Sequence, residues 1–154
     1  MKKSPEPDEV DVLLVRLLRE VATGFTQASV ATVPHRASGA PAWVLTCSAP
    51  GTASIEVFHA GDQIDVFAGK DTQLEFALTP KKTPDETLAE LGRFVGAVTR
   101  GNFREVLWEA GGSILRSKGI FVLDEGYQEV SRRLRLIAMI WPGRRREIHY
   151  GPYV

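Results

Sequence analysis

Hydrophobic residues recur at intervals of three and four positions in two segments, and this spacing predicts two amphipathic helices. The first helix is expected to begin after Asp8, a suitable N-cap, and to end before Gly24, which can adopt a left-handed conformation there. The second is expected to follow Thr83-Pro84-Asp85-Glu86, where Thr and Glu are spaced as in a capping box. Gly101 is a reasonable end for it.

Between these helices the hydrophobic period falls to two, which predicts short strands. The alternation is clearest on either side of Ala60-Gly61, where one face of the paired strands is apolar and the other mostly polar. This is typical of an antiparallel meander. The strands are predicted at residues 26–33, 43–47, 54–59, 63–68 and 73–78.

The last third of the chain contains a further set of alternating segments. Two strands, 103–108 and 114–123, are predicted around a Gly111-Gly112 turn. Residues 127–141 suit either a helix or a strand, and we favour a strand. It is expected to turn at Pro142-Gly143 and to return along 147–150 as a hairpin, because a short loop gives both segments a pairing partner at low entropic cost.

These elements together predict an α+β domain, mainly an antiparallel sheet covered by two helices. A length of 154 residues suits one hydrophobic core, so we expect a single domain over residues 8–154 after a flexible leader at residues 1–7. No apolar run is long enough to cross a bilayer or to form a signal peptide. The single cysteine, Cys47, agrees with a reducing compartment, so we expect a cytosolic protein.

The sequence contains no motif that is typical of a catalytic site. The chain has no Gly-x-Ser-x-Gly elbow and no phosphate-binding loop. An alternative hypothesis is a small enzyme or ligand-binding domain that uses the sheet face around Cys47 and His59, with Glu105 as a candidate carboxylate. The spacing of His59, Asp62 and Asp65 favours a polar turn over metal ligation, and we predict neither a metal site nor a cofactor.

Arginine is concentrated near the C-terminus, although the formal net charge of the whole chain is zero. Six arginines and a single acidic residue, Glu147, occur between residues 130 and 154. Arginine and aromatic residues are enriched at the centres of protein interfaces and also suit single-stranded nucleic acid. The third interpretation is a hairpin whose charges protect a sheet edge from aggregation. If the segment binds a protein, the candidate contact residues are Trp141, Arg144, Arg145, Arg146 and Tyr150.

The order helix, meander, helix and second strand set resembles small immunity proteins of bacterial polymorphic toxin systems, in the group that contains the antitoxin of the tuberculosis necrotizing toxin. The segments Gly101-Asn102-Phe103-Arg104-Glu105 and Arg116-Ser117-Lys118-Gly119 are part of this resemblance, which covers residues 8 to about 126. It implies a non-catalytic protein that occludes the active site of a toxin. It assigns no contact residue and does not extend to the arginine-rich C-terminus.

The hypothesis that combines these observations is a non-catalytic cytosolic protein-binding module, most specifically an immunity-type inhibitor. The alternatives are the small enzyme or ligand-binding domain described above and a nucleic-acid binder that uses the C-terminal arginines. A formal net charge of zero argues against dedicated nucleic-acid binding, because such affinity comes largely from neutralising phosphates.

Overall fold

A computed structural model describes residues 9–35, 38–133 and 143–154. Two helices and nine strands are found within these ranges, and they form the expected α+β fold. Their bounds are α1 Glu9–Thr23, β1 Ala28–Pro34, β2 Pro41–Cys47, β3 Ile55–Ala60, β4 Gln63–Ala68, β5 Thr72–Ala77, α2 Pro84–Thr99, β6 Phe103–Ala110, β7 Ser113–Leu123, β8 Gly126–Arg133 and β9 Arg144–His149.

The first helix has the predicted apolar stripe, with Val10, Leu14 and Leu18 buried. It ends at the expected place, but the predicted mechanism is wrong because Gly24 does not have a positive φ. Its N–H instead donates to the carbonyl of Val21 at 3.1 Å, which closes a tight turn without a left-handed residue. The predicted N-cap, Asp8, lies outside the described residues.

The second helix begins and ends as predicted. Thr83 Oγ1 accepts a hydrogen bond from the Glu86 N–H at 3.2 Å, and the Glu86 carboxylate accepts one from the Thr83 N–H at 2.9 Å. This reciprocal pair is the capping box, and Pro84 occupies the first turn. Gly101 follows the helix with a φ of +77°, a conformation that glycine adopts without steric cost.

The first sheet is the predicted meander, with five antiparallel strands in the order β1-β2-β3-β4-β5. The predicted strand limits differ from the observed ones by at most two residues at either end. One face of this sheet packs on the helices. The buried side chains on that face include Trp43, Leu45, Ile55, Val57, Ile64, Val66, Leu74 and Phe76.

The described strands of the second sheet have the order β8-β7-β6-β9, so residues 126–133 pair with β7 and not, as the predicted hairpin required, with β9. The strands β8 and β9 lie at opposite edges of this described sheet, and β9 pairs antiparallel with β6. Because β6 is buried at Glu105, Val106 and Leu107, its main chain requires partners on both sides. A local hairpin of β8 and β9 would have left one side of β6 unpaired. Residues 134–142, which include the predicted turn residue Pro142, lie outside the described ranges.

The two sheets share one hydrophobic cluster with both helices. Phe94 of α2 lies between them, with ring centroids 5.7 Å from Phe76 of the first sheet and 5.2 Å from Phe121 of the second. Both contacts are edge-to-face, the geometry that aromatic rings favour. Each sheet therefore has an inner face toward this core and an outer face turned away from it. Neither described helix is long and apolar enough to span a membrane.

Candidate functional site

A completely buried carboxylate joins the two sheets. Glu105 lies on the inner face of β6 with none of its surface exposed. Its Oε1 accepts a hydrogen bond from the Lys70 N–H at 2.7 Å and one from the Tyr150 hydroxyl at 2.5 Å. Its Oε2 accepts from the Asp71 N–H at 2.9 Å and from the Thr72 hydroxyl at 2.7 Å. The donors come from the β4–β5 turn of the first sheet and from the segment after β9.

These four hydrogen bonds occupy the acceptor sites of the carboxylate, about four in an ionised group. The turn residue Gly69 has a φ of +65°, and a Cβ there would lie only 2.2 Å from Glu105 Oε1. Glycine is therefore required both by the left-handed backbone and by the close approach of the carboxylate. The geometry indicates that Glu105 connects the sheets. It lacks the free acceptor and open approach that a general base needs.

The C-terminal residues also stabilise this junction. Gly151 donates its N–H to the carbonyl of Gly51 at 2.8 Å, and the Tyr153 N–H donates to the carbonyl of Thr99 at 2.8 Å. The buried Tyr153 hydroxyl donates to the carbonyl of Ala53 at 2.6 Å. Burial and, to a smaller extent, the electrostatic influence of Cys47 raise the pKa of this phenol above its ordinary value. The tail thus bridges elements that are distant along the sequence.

The predicted contact residue Tyr150 is largely engaged within the protein. Its ring stacks on Phe103 with a centroid distance of 5.2 Å, and its hydroxyl is bonded to Glu105. Burial and the adjacent carboxylate raise its pKa above the ordinary value of a phenol. Tyr150 is only partly exposed. Its contacts account for an aromatic residue at this position without a partner protein, and its role in binding remains a prediction.

The alternative site around Cys47 and His59 is not assembled by the first sheet. The β2–β3 register pairs Trp43 with Val57, so His59 falls opposite Pro41, six positions from Cys47. At the rise of a strand this separation is about 20 Å. His59 Nδ1 instead lies 2.7 Å from Asp11 Oδ1 on α1, and its Nε2 lies 2.9 Å from the carbonyl oxygen of Gly61. These contacts attach α1 to the sheet.

The strand alternation around the predicted polar turn separates His59 from Asp65. His59 is on the inner face of the sheet, whereas Asp65 is on the outer face because strand positions alternate. Asp65 accepts a hydrogen bond from the Gln63 amide at 2.7 Å. Within the described ranges no three His, Cys, Asp or Glu side chains come together as a metal-binding group.

The three consecutive arginines of β9 do not form one patch, since alternate residues of a strand face opposite sides of the sheet. Arg145 pairs across the ladder with Trp108 and lies on the outer face. Arg144 and Arg146 lie on the other face near Glu109, and Arg146 Nη2 bonds Glu109 Oε1 at 2.7 Å. The remaining predicted contact residue, Trp141, is outside the described residues.

The outer face of the second sheet carries an excess of positive charge. We call it the basic face and define it by the cationic side chains of Arg104, Arg116, Lys118, Arg145 and His149 together with the carboxylates of Glu129 and Glu147. Without His149, which is charged only when it is protonated, this group contains four cationic side chains and two carboxylates. Neither described helix covers it, because α2 contacts the inner face through Phe94 and Phe121.

Glu147 lies at the centre of the positive charges on this face. Its carboxylate oxygens lie 2.8 Å from Arg104, 3.1 Å from Arg145 and 3.0 Å from His149. Desolvation raises the pKa of the Glu147 carboxyl, but the hydrogen bonds and positive charges of these neighbours outweigh it and lower the pKa below its ordinary value. Lys118 pairs separately with Glu129 at 3.2 Å. The cations on the basic face therefore outnumber the two carboxylates that pair with them, and the face has a net positive charge.

The basic face also presents apolar and aromatic surface. Tyr127 is 74% exposed and Val122 is 39% exposed. Together with Arg104 and His149 they line a cleft of about 290 Å³ at one corner of the sheet. Nearby on the same face, the Arg116 guanidinium lies 4.5 Å from the centre of the Trp108 ring. An exposed tyrosine beside arginine is typical of the residues that dominate protein interfaces.

Sequence reasoning missed both Tyr127 and the role of Glu105. The alternation of Tyr127, Glu129 and Ser131 with Gln128 and Val130 indicates a strand with two faces, but the outward face depends on the pairing of β8 with β7.

No protein-family model matches the chain, and no curated protein or solved structure is significantly similar to it.

Proposed function

We propose that the chain is a non-catalytic protein-binding module and that it binds an acidic surface of its partner through the basic face. The single observation that carries this proposal is a sheet face that no described helix covers, on which cations outnumber carboxylates and an exposed tyrosine lies beside Arg104. Complementary charge accelerates encounter and selects the partner, while aromatic and arginine anchors supply affinity. The most specific form of the proposal is an immunity-type inhibitor that acts in the cytosol and covers the active site of a toxin.

A protein partner is favoured over nucleic acid because carboxylates lie among the cations. Glu147 is shared by three basic side chains, and Glu129 pairs with Lys118. Phosphate backbones repel such carboxylates, whereas the mixed charge of a protein surface can pair with both signs. Nucleic-acid binding remains the rival that the experiment has to separate.

Two arginines of β9 provide a matched pair for the test. Arg145 lies on the basic face and its neighbour Arg144 lies on the opposite face, so Arg145→Glu and Arg144→Glu make the same change of charge at adjacent positions. The partner is first isolated from the source organism with tagged wild-type chain after nuclease treatment, identified by mass spectrometry and purified. Its affinity for each variant is then measured by titration calorimetry.

We expect Arg145→Glu to weaken binding at least tenfold and Arg144→Glu to weaken it less than threefold. Tyr127→Ala should also weaken binding at least tenfold, because a tyrosine at the centre of an interface contributes about 2 kcal/mol or more and tenfold corresponds to about 1.4 kcal/mol. Equal losses for the two arginine variants would contradict the assignment of the face. Salt-sensitive binding to a single-stranded oligonucleotide, with no protein partner recovered, would favour the nucleic-acid alternative.

A further inference from the structure

The first strand has an outer edge that no strand in the described part of the chain covers. β1 is the terminal strand of the first sheet and pairs with β2 on one side, and no described strand pairs with its other side. An open edge of this kind presents a row of main-chain donors and acceptors that another extended segment can pair with.

The hydrogen bonds at the two ends of β1 show which residues supply those groups. The Gln27 carbonyl accepts from the Ser48 N–H at 3.0 Å, and the His35 N–H donates to the Ala40 carbonyl at 2.7 Å. The main-chain groups of Gln27 and His35, both odd-numbered, therefore form hydrogen bonds on the side of β2. Because main-chain direction alternates along an antiparallel strand, the groups of Ala28, Val30 and Thr32 point to the open edge. Pro34, which has no N–H, ends this row.

The β1 edge lacks charged side chains, and Pro34 protects only its end. The sequence of β1, ASVATVP, contains no charged residue, whereas β9, the outermost described strand next to β6, reads RRREIH. Natural sheets usually protect exposed edges with charged residues, and β9 follows this rule. The outer strands β5 and β8 contact each other, so those two edges are not similarly open. An uncharged open edge favours pairing of this strand with another extended segment.

A groove lies between α1 and the part of β2 that contains Pro41 and Trp43, which pair with Pro34 and Thr32 of β1. It has a volume of about 730 Å³, and its apolar lining includes Val12, Val15, Pro41 and Trp43. Val12 is 53% exposed there, one of few large hydrophobic side chains with that much surface. Alternate side chains of a segment added to β1 would point to the α1 side of the sheet, toward this groove.

The charges at the groove indicate the chemistry of the occupant. Arg16 and Arg19 line it together with the acidic residues Glu20 and Asp11. Asp11 is bonded to His59, and Glu20 lies 4.0 Å from Arg16. With Asp11 engaged by His59, two arginines remain against one carboxylate, an arrangement that favours an acidic residue in the segment that binds.

We propose that the β1 edge binds an extended segment of a partner protein as a sixth strand, with apolar residues at alternate positions and an acidic residue near Arg16 and Arg19. Main-chain hydrogen bonds to Ala28, Val30 and Thr32 supply affinity, and the groove selects the alternate side chains. This site is on the other sheet from the basic face and does not depend on the proposed function of that face.

Thr32 allows a variant that blocks the edge selectively. Thr32→Pro removes an outward N–H without removing a bond to β2, and proline is tolerated at such edge positions. Thr32→Val keeps the N–H and is the matched control. The probe is a phage library of random twelve-residue peptides, selected on the full wild-type chain. The consensus peptide is then synthesised, and its affinity is measured by fluorescence anisotropy.

We expect selected peptides with apolar residues at every second position and an Asp or Glu at one end. Thr32→Pro should lower the affinity for the consensus peptide at least tenfold, while the melting temperature of this variant stays within a few degrees of that of the wild type. Thr32→Val should lower the affinity less than threefold. Arg19→Glu should lower it severalfold. Failure to select alternating peptides, or equal binding to both Thr32 variants, would overturn the proposal.

Self-association is the other outcome that the experiment separates. Sedimentation equilibrium of the wild type and of Thr32→Pro shows whether the edge pairs with a second copy of the chain. A dimer that Thr32→Pro dissociates would assign the edge to self-association and would overturn the partner proposal. A monomer in both cases, together with peptide binding that Thr32→Pro abolishes, would support it.

Discussion

Two carboxylates on the paired strands β6 and β9 have opposite surroundings. Glu105 faces inward, is fully buried and accepts hydrogen bonds from two main-chain N–H groups and two hydroxyls. Glu147 faces outward and is shared by two arginines and a histidine. The first is held by short, uncharged donors in a fixed geometry, whereas the second is surrounded by long side chains in contact with solvent.

This difference separates a group that holds the fold together from a group that organises a surface. Hydrogen bonds to a buried carboxylate are expensive to lose because the donors are left without water or another acceptor. Ion pairs among exposed side chains contribute little to stability, since solvent and salt screen them. Substitution of either residue removes one carboxylate, but only substitution of Glu105 should greatly lower the free energy of unfolding.

The largest expected effect is that of Glu105→Ala. The substitution leaves the N–H groups of Lys70 and Asp71 without their acceptor inside the protein, and it removes the connection between the sheets. We expect a loss of about 3 to 5 kcal/mol in the free energy of unfolding. Urea denaturation followed by circular dichroism measures it.

Glu109→Ala is the matched control for this substitution, because Glu109 lies on the same strand and face but is 33% exposed. It should cost less than about 1 kcal/mol. Should Glu105→Ala fail to fold, Glu105→Gln preserves the size of the side chain and is measured instead. Similar losses at Glu105 and Glu109 would show that the buried hydrogen bonds do not support the junction.

An intermediate effect is expected for Tyr153→Phe. Loss of the hydroxyl leaves the buried Ala53 carbonyl without this donor and should cost about 1 kcal/mol at neutral pH. Because folding raises the pKa of Tyr153, its stabilising contribution is complete below the unfolded value near pH 10 and declines as the pH rises above it.

Unfolding titrations between pH 8 and pH 11 test this dependence. The wild type should lose stability in the alkaline part of the range, and Tyr153→Phe should lose less. Tyr150→Phe serves as a comparison, because its hydroxyl also has a raised pKa but bonds the carboxylate of Glu105. An unchanged alkaline slope in both variants would show that other groups determine it.

The smallest effect on folding is expected for Glu147→Gln. The denaturation midpoint at neutral pH should stay nearly unchanged, while the basic face gains one unit of positive charge and should bind an acidic partner faster at low salt. Since folding lowers the pKa of Glu147, its contribution is present above the unfolded value and is lost as the pH falls through the folded value. Carboxyl carbon chemical shifts, measured by NMR against pH, should give a midpoint below that of an ordinary glutamate. A large loss of stability on substitution would mean that Glu147 also holds the fold.

Much of the local structure could be predicted because its signals lie close together in the chain. The capping box at Thr83 needs only residues 83 to 86, and the turn at Gly111-Gly112 follows from its glycines and flanking alternation. The site was harder to predict. All three adjacent arginines are candidate contact residues in the sequence, but a strand directs Arg145 and its neighbours to opposite faces, and the partner strand determines which face is outward.

The sequence by itself determined the bounds of both helices and of β1 to β7 to within a few residues, because helix and strand periods depend on neighbouring side chains. It left residues 127–141 open between helix and strand. Tertiary structure alone decided that β9 pairs with β6, that Glu105 is surrounded by donors from the other sheet, and that Tyr127 lies beside Arg104 on an exposed face. Those outcomes depend on which distant segments bury the most surface and satisfy the most hydrogen bonds together. Such competition between distant segments is settled by the whole fold and leaves no local pattern to read.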